Sequence, residues 1–545
     1  MASKFLIRKP RGAWPKEGYP AFVLEQDKWN DYGFMTQYHL YYVTLDEAGD
    51  RIVDLIGPVK ILRLGQLEGD DLQITEKFNT LDDDFCSVGS SLDYYERLRQ
   101  LSKVKAQRAL TGLRDLVHDP SLEEIFRDEP GWNKSLFRDG KDDKYLKIAY
   151  GLVTGDYTEL PGEELSFSVK FGSWLNSLDF AFMNPKPHRR GKSILPTRVG
   201  VLVGANGSGK STVLARIARL AFATIAERKE MASLGALTPA GIGFPRIVTI
   251  SFSAFDSFHL PGSNTRNRRK ILDEMASGTG RFAYVGLRDL KAEGSRVAKG
   301  AESEVNPFGD DDRQGATRLK SIEKIADEFY LYLSQINDPT KVSILTELFS
   351  KLLKGSVFEE LEDYDLNEWD KETVISTFLK CSTGHKIAAL VVTSLMAVTV
   401  PSSLVLFDEP ETHLHPPLLA ELMHAVRAIM ANNNSFCIIA SHSPVVVQET
   451  LGVDVRVIKR DGDWAFAEGV GSETFGESIG LITSEVFGLN PEATDYHRVL
   501  DDLIHRIDDQ DDLEDLEDLF LQGQMSHQAR SYSMSRRAFL KRTKK

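Results

Sequence analysis

The chain has 545 residues, enough for roughly three or four structural units at about 150 residues each. Hydrophobic residues make up 42% and charged residues 27%, which excludes a collagenous or wholly disordered chain. The formal net charge of −14 excludes bulk-basic binding of nucleic acid, so any such contact must come from local patches. Cys86, Cys381 and Cys437 lie far apart and give neither a disulfide framework nor a metal-ligand spacing, which fits a reducing, cytoplasmic setting. The N-terminus lacks the apolar core of a secretory signal, and no run of about 18 apolar residues is present to span a membrane.

Residues 1–160 read as a β-rich region with one helical segment. Between Tyr38 and Leu64, short apolar runs are broken by Glu47-Ala-Gly-Asp50 and by Gly57-Pro58, a hairpin pattern. From Leu92 to Val117, the leucines at 98, 101, 110, 113 and 116 follow helical spacing. Residues 161–260 read as a first lobe. Leu165 to Lys170 alternates like a strand, and a basic loop follows at Lys186, Arg189, Arg190 and Lys192. Val199 to Val203 is a compact apolar strand, Thr212 to Ile225 has helical spacing, and Arg246 to Phe252 is another buried-type strand. Residues 261–380 begin with a Gly-, Asp-, Arg- and Ser-rich stretch to 316 that is expected to interrupt the fold as a loop, mobile over 291–316. A helical lobe follows over 317–379. In residues 381–475 the strand–helix alternation resumes: Leu404–Phe407, a helix over 418–431, then Phe436–Ala440. Residues 476–545 form a charged helical tail. Its span from Asp501 to Asp518 holds ten acids and one arginine, and Ser535 to Lys545 carries six basic residues and no acid.

Gly204-Ala-Asn-Gly-Ser-Gly-Lys-Ser211 fits G-x-x-x-x-G-K-[ST] between a predicted strand and a predicted helix. Glycines let successive N–H groups turn toward phosphate oxygens, and the following helix adds its positive end. Lys210 is expected on the β- and γ-phosphates and Ser211 on Mg²⁺. The candidate nucleotide-binding residues are therefore Gly204, Asn206, Gly207, Ser208, Gly209, Lys210, Ser211 and Thr212. Leu404-Val-Leu-Phe-Asp-Glu-Pro410 is a buried strand that presents Asp408 and Glu409 at its end. One carboxylate can hold the Mg²⁺ shell and the other can polarise a water in line with the γ-phosphate. Cys381-Ser-Thr-Gly-His385 opens an apolar helix, either as an anion site or as a plain N-cap. Ile438-Ile-Ala-Ser-His-Ser-Pro444 ends a strand at His442, a γ-phosphate contact or an ordinary loop residue. His413 and His415 supply only two candidate metal ligands, too few for zinc, so a structural or dimer-contact role is expected of them.

Taken in order, these motifs resemble the ATP-binding-cassette ATPase head. The resemblance implies an α/β fold: a P-loop sheet with a helical lobe, plus the β-rich N-terminal region and the charged tail. It implies ATP and Mg²⁺ as cofactors, heads paired head-to-tail as a homodimer or higher oligomer, and Ser382 and Gly384 of one head closing on the nucleotide of the other. Asp408 falls to the Mg²⁺ shell, Glu409 is the implied catalytic base, and His442 is the implied switch histidine. The sequence departs from transporter subunits: the signature lacks Gly-Gly-Gln, and no clear Gln follows the strand at 246–252. Ser253, Asp256 or a neighbour would have to serve there.

The Glu411-Thr-His-Leu-His-Pro416 extension and the Thr-Gly-His signature are similar to the soluble overcoming-lysogenization-defect and RecF-type ATPases. The chain's size, Trp29-Asn-Asp-Tyr-Gly33, Ile56-Gly-Pro-Val-Lys-Ile61 and the short tail look like the PtuA family of Septu and retron anti-phage systems. That resemblance implies a separate HNH nuclease (PtuB-like) as partner, with a reverse transcriptase and its DNA–RNA product in retron versions. No membrane is expected among the partners, since no run of about 18 apolar residues is present. The alternative is a DNA-repair ATPase of RecF or structural-maintenance type that binds duplex DNA through the basic loop, Arg266 to Lys270 and the tail.

Overall fold

The computed structural model describes residues 4–138, 141–160, 164–182, 195, 197–262, 268–297, 311–315, 317–355, 370–488, 495–506, 516–520 and 523–543. Contacts divide the chain into two compact units, Met1–Gly476 and Glu477–Lys545. The basic loop at 186–192, Arg266 and most of the acidic run after Arg506 lie outside the described residues.

The first unit opens with a six-stranded sheet. Its strands are β1 (Lys4–Arg8), β2 (Ala21–Gln26), β3 (Gln37–Leu45), β4 (Arg51–Arg63), β5 (Lys77–Phe78) and β6 (Phe85–Gly89), in the order β5-β1-β2-β3-β4-β6. The hairpin turn falls at Glu47–Asp50 as expected, but Gly57-Pro58 is no turn. Both residues lie inside β4, beside a register shift at Leu40/Tyr41. Gly57 has φ +148°, and a Cβ there would lie 3.4 Å from the Tyr94 side chain, so the glycine serves a bulge under a packed ring. The single expected helix is two, α1 (Leu92–Leu101) and α2 (Lys103–Gly112), broken at Ser102, whose side chain caps the second. Three further helical pieces were not anticipated: α3 (Leu122–Phe126), a π-turn at Trp132–Leu136, and α4 (Asp143–Thr154).

A buried carboxylate lies beneath these helices. Asp115 accepts hydrogen bonds from the Val117 N–H at 2.9 Å and the Tyr95 hydroxyl at 3.1 Å. Burial pushes its carboxyl up to about 7, against the pull of those two donors. Between about pH 4 and 7 the folded chain holds a proton that the unfolded chain releases, so stability falls as pH rises, by up to about 1.4 kcal/mol per pH unit. Asp115→Asn keeps the acceptor oxygen and removes the titration. Urea unfolding at pH 5 and pH 8 should show a smaller loss of stability in the variant than in the wild type.

The head follows. β7 (Leu165–Lys170), β8 (Leu178–Phe182) and β10 (Ala236–Thr238) form a small antiparallel sheet in the order β10-β7-β8. The main sheet has seven strands: β9 (Val199–Val203), β11 (Ile247–Ser251), β12 (Phe282–Gly286), β13 (Leu404–Asp408), β14 (Phe436–Ala440), β15 (Val455–Asp461) and β16 (Trp464–Gly469). Their order is β12-β11-β13-β14-β9-β15-β16, all parallel except the last pair. β9 and β14 are buried at every residue, the mark of strands covered on both faces. The helix α5 (Lys210–Phe222) joins the two sheets: Phe167 and Phe180, Val213 and Ile217, and Leu202 and Ile438 share one core. This is the α/β head the motifs imply.

The stretch 261–316 is not simply a loop. It carries α7 (Arg268–Ser277), the fully buried β12 and α8 (Leu290–Val297). Five apolar or small residues among Gly, Asp and Arg were too short a signal to stand out. The helical lobe contains α9 (Ile322–Ser334), α10 (Pro339–Leu352), α11 (Lys371–Lys380) and α12 (Thr383–Val398), with Phe329 stacked on Phe378 at 4.7 Å. α12 is apolar almost all round and buried, as its composition requires. Helix α13 (Pro416–Asn432) follows β13 and α14 (Pro444–Gln448) follows β14. The second unit contains α15 (Ile479–Glu485), α16 (Asp495–Arg506) and α17 (His527–Thr543), with Arg536 bonded to Asp501 at 3.0 Å. Among the described residues no helix is long and apolar enough to cross a membrane, and the three cysteines are buried and form no disulfide.

Candidate functional site

Parallel strands direct their C-terminal ends to one edge of the sheet, and the candidate residues gather there. β9 runs into the glycine turn at 204–209, and α5 begins at Lys210. Gly204, Gly207 and Gly209 have φ of +155°, +79° and +98°, and the turn depends on them. A Cβ on Gly204 would lie 2.5 Å from the Ile458 carbonyl oxygen and 2.8 Å from Ser208 Oγ. Gly204→Ala should therefore displace β15 and cost about 1–3 kcal/mol, read as a lower midpoint in urea. Ser208 Oγ is buried with no hydrogen-bond partner in the described structure. Asn206 is exposed on the turn, and Thr212 is half-buried in the first turn of α5. Lys210 Nζ folds back onto the turn, donating to the Gly204 carbonyl at 2.9 Å and the Ala205 carbonyl at 3.3 Å. Burial pulls its ammonium below the usual range, and Glu409, Asp408 and Glu411 pull it back up.

Register places Ser251, Asp408 and Ala440 side by side at the ends of β11, β13 and β14. Ser211 Oγ donates to Asp408 Oδ1 at 2.9 Å. Burial pushes the Asp408 carboxyl up to about 7, aided by the charges of Glu409, Asp256 and Glu411 and opposed by the Ser211 hydroxyl. Glu409 takes φ +47°, and its N–H donates to the Ala440 carbonyl at 2.8 Å. That strained turn sets Glu409 beside Asp408 instead of continuing the strand alternation.

Glu411 is the residue sequence reasoning passed over. Its carboxylate accepts from Ser441 Oγ at 3.0 Å and from the His442 N–H at 2.6 Å. It also lies 2.9 Å from His442 Nδ1, whereas Glu409 is 3.8 Å away. Glu411 thus ties β14's end to the loop after β13 and fixes the half-exposed imidazole. Only its place in Glu-Thr-His-Leu-His hinted at this.

Ser382 and Gly384 lie apart from the glycine turn's neighbours. Ser382 is the exposed N-cap of α12, accepting from the His385 N–H at 3.3 Å. A Cβ on Gly384 would lie 3.1 Å from Leu418 and 3.3 Å from the His413 carbonyl oxygen. His415 caps α13 through the Leu418 N–H at 3.1 Å. Burial and the nearby His415 hold the His385 imidazole below its ordinary range. The H-x-H loop therefore shapes the surface that carries the signature. Of the two named stand-ins for the missing Gln, Ser253 closes a turn by accepting from the Phe255 N–H at 3.2 Å. Asp256 is buried, accepts from the Tyr284 hydroxyl at 2.8 Å, faces Arg288 at 3.7 Å, and is close enough to raise Asp408.

Residues 269–448 match the family model of an AAA domain, putative AbiEii toxin, Type IV TA system. That span includes Ser382, Gly384, Asp408, Glu409 and His442, and it begins after the glycine turn. Solved structures similar to the chain include an Smc head bound to the C-winged helix domain of ScpA, at 13% identity and a TM-score of 0.27, covering 56% of this chain and 97% of that one. Another is the ADP conformation of an ATP-binding cassette of an ABC transporter, at 14% identity and a TM-score of 0.26, covering 59% and 96%. Protein ea59 of Escherichia phage lambda is 30% identical over 493 residues, 88% of each chain. The chain belongs to the ea59 family. In this ea59-family member, the glycine turn and both strand-end motifs fall at the same edge of one sheet.

Proposed function

We propose that the chain hydrolyses ATP and that two heads pair head-to-tail around the nucleotide. The observation that carries this reading is the contact of Ser211 Oγ with Asp408 Oδ1, 197 residues apart, beneath a glycine turn that ends in Lys210. The donor set fits Mg²⁺: hard oxygens, an orphaned Ser208 hydroxyl in the turn, and a crowd of carboxylates around a buried aspartate. Ser211 and Asp408 would hold the ion, which supplies charge neutralisation to the phosphates when bound. Lys210 exchanges its two carbonyl partners for phosphate oxygens, a charge-assisted and stronger bond. Glu409 orients a water and takes its proton at the carboxylate. His442, held by Glu411, donates toward the γ-phosphate. Gly204, Gly207 and Gly209 shape the turn, with Asn206 and Thr212 at its rim.

Ser382 and Gly384 sit at an exposed helix start, which supports their acting on a nucleotide held by a second copy. Mixing tests this. Lys210→Ala and Ser382→Phe chains are each expected to be inactive. A mixed dimer has one intact composite site, so an equal mixture should recover about a quarter of wild-type turnover. No recovery, with both variants folded, rejects the head-to-tail arrangement.

The resemblance to PtuA extends the proposal to a separate HNH nuclease that the paired heads scaffold and restrain. Co-expression with the candidate nuclease tests it. Association that ignores both ATP and the head variants would reject control by the heads.

A further inference from the structure

The two N-terminal motifs, Trp29–Gly33 and Ile56–Ile61, have no part in ATP chemistry, yet the fold brings them together. Trp29, Asp31, Pro58 and Lys60 line one wall of a cavity of about 450 Å³. The opposite wall is the C-terminal end of α5 with α6 (Ile225–Glu230) and the turn at Gly241–Gly243. The volume lies within the range of small-molecule sites.

The lining has a clear chemical bias. It holds six basic side chains, Lys60, Arg138 and Lys141 on one side and Arg228, Lys229 and Arg281 on the other, against three acidic ones. Two of the cations share a single carboxylate: Lys60 and Arg138 both bind Asp31. Another of the acids, Glu227, is engaged in the capping box at Thr224. Arg281 also faces Asp93 behind the lining at 3.2 Å, and Arg228 donates to four backbone carbonyls, so the six cations meet four carboxylates and the cavity keeps a positive surplus of two in a partly desolvated place, where an anion is attracted.

Its aromatic groups add a second preference. The Trp29 indole is 54% exposed, but its Nε1–H is bonded to Asp31 at 2.9 Å. A flat, solvent-facing ring is thus held in place at the rim by the same carboxylate that gathers the cations. Phe222 and Tyr145 line the interior, and the Arg281 guanidinium lies 4.5 Å over the Phe222 ring. A planar base stacked at Trp29 with its phosphate among the cations satisfies both preferences.

We propose that this cavity binds a free nucleoside 5′-phosphate at a site distinct from the glycine turn. The two sites lie at opposite ends of α5, a 13-residue helix about 20 Å long. A ligand against Phe222 and Thr224 bears on the same rigid element that starts at Lys210.

The test is calorimetric titration of AMP, GMP, CMP and UMP into the full chain and into its Lys210→Ala form. At least one nucleotide is expected to bind at one site per chain, equally in both forms. Trp29→Ala removes the stacking face, and Ala226→Trp fills the cavity from an exposed helix position. Each should weaken binding at least about tenfold without shifting thermal unfolding. Inorganic phosphate should bind more weakly than the nucleotide. A 5′-phosphorylated trinucleotide that binds no better assigns the site to the free nucleotide. One that binds much better rejects the free ligand in favour of a strand end. The proposal is also overturned if none of the four binds at about 1 mM, if Lys210→Ala abolishes binding, if phosphate binds as well as the nucleotide, or if both cavity variants bind normally.

Discussion

Glu409→Gln should retain ATP while its hydrolysis falls by about 10²–10⁴-fold, the range for loss of a general base. The amide matches the carboxylate in size and is no harder to place at φ +47°, since the backbone is fixed by the N–H bond to Ala440. What changes is the ability to accept a proton. Removing one negative charge beside Asp408 also eases the approach of phosphate, so binding should hold or tighten. Single-turnover assays with labelled ATP, read beside filter binding, separate the two effects. Turnover within about threefold of wild type would remove Glu409 from the role. Glu411→Gln offers a useful contrast. As a positioning residue it should lower kcat more modestly with KM little changed, and the loss should vanish when His442 is already replaced.

Lys210→Ala should weaken ATP binding by about 100-fold or more, since a charge-assisted bond to phosphate is lost from a confined site. The structure adds a reason to expect a clean result. Lys210 Nζ donates to carbonyls of its own turn and makes no direct ion pair among the described residues, so its removal takes only a longer-range attraction from Glu409, Asp408 and Glu411. Thermal unfolding should change little without nucleotide, and ATP should no longer raise the midpoint. A variant that ATP stabilises as strongly as wild type would show that the nucleotide is held elsewhere.

These effects were foreseeable because the strand-to-turn-to-helix logic around 199–222 and the apolar strands ending at Asp408 and Ala440 are written in local sequence. Buried parallel strands are continuous apolar runs, and glycines mark the turn. What was not legible depends on distance along the chain. Glu411 gains its role from Ser441 and His442, thirty residues on, through register that no local pattern encodes. β12 is too short, and its neighbours too polar, to announce a buried edge strand. Gly57-Pro58 carries a turn signature, but the Tyr94 ring packed over a bulge overrides it. In each case tertiary packing decided what composition left open.

The ion pairs between the N-terminal region and the head have a practical consequence. Arg246 faces Glu96 at 3.5 Å, Arg281 faces Asp93 at 3.2 Å, and Arg97 faces Glu274 at 3.2 Å, with all three arginines buried. Cutting the chain near residue 163 would remove the carboxylate partners of Arg246 and Arg281 and bare to water the apolar surface that packs beside them, where Gly243 lies against Leu92 and Ile148. A truncated ATPase fragment should therefore be poorly soluble, and assays of the head are best designed around a polypeptide that keeps its first 160 residues.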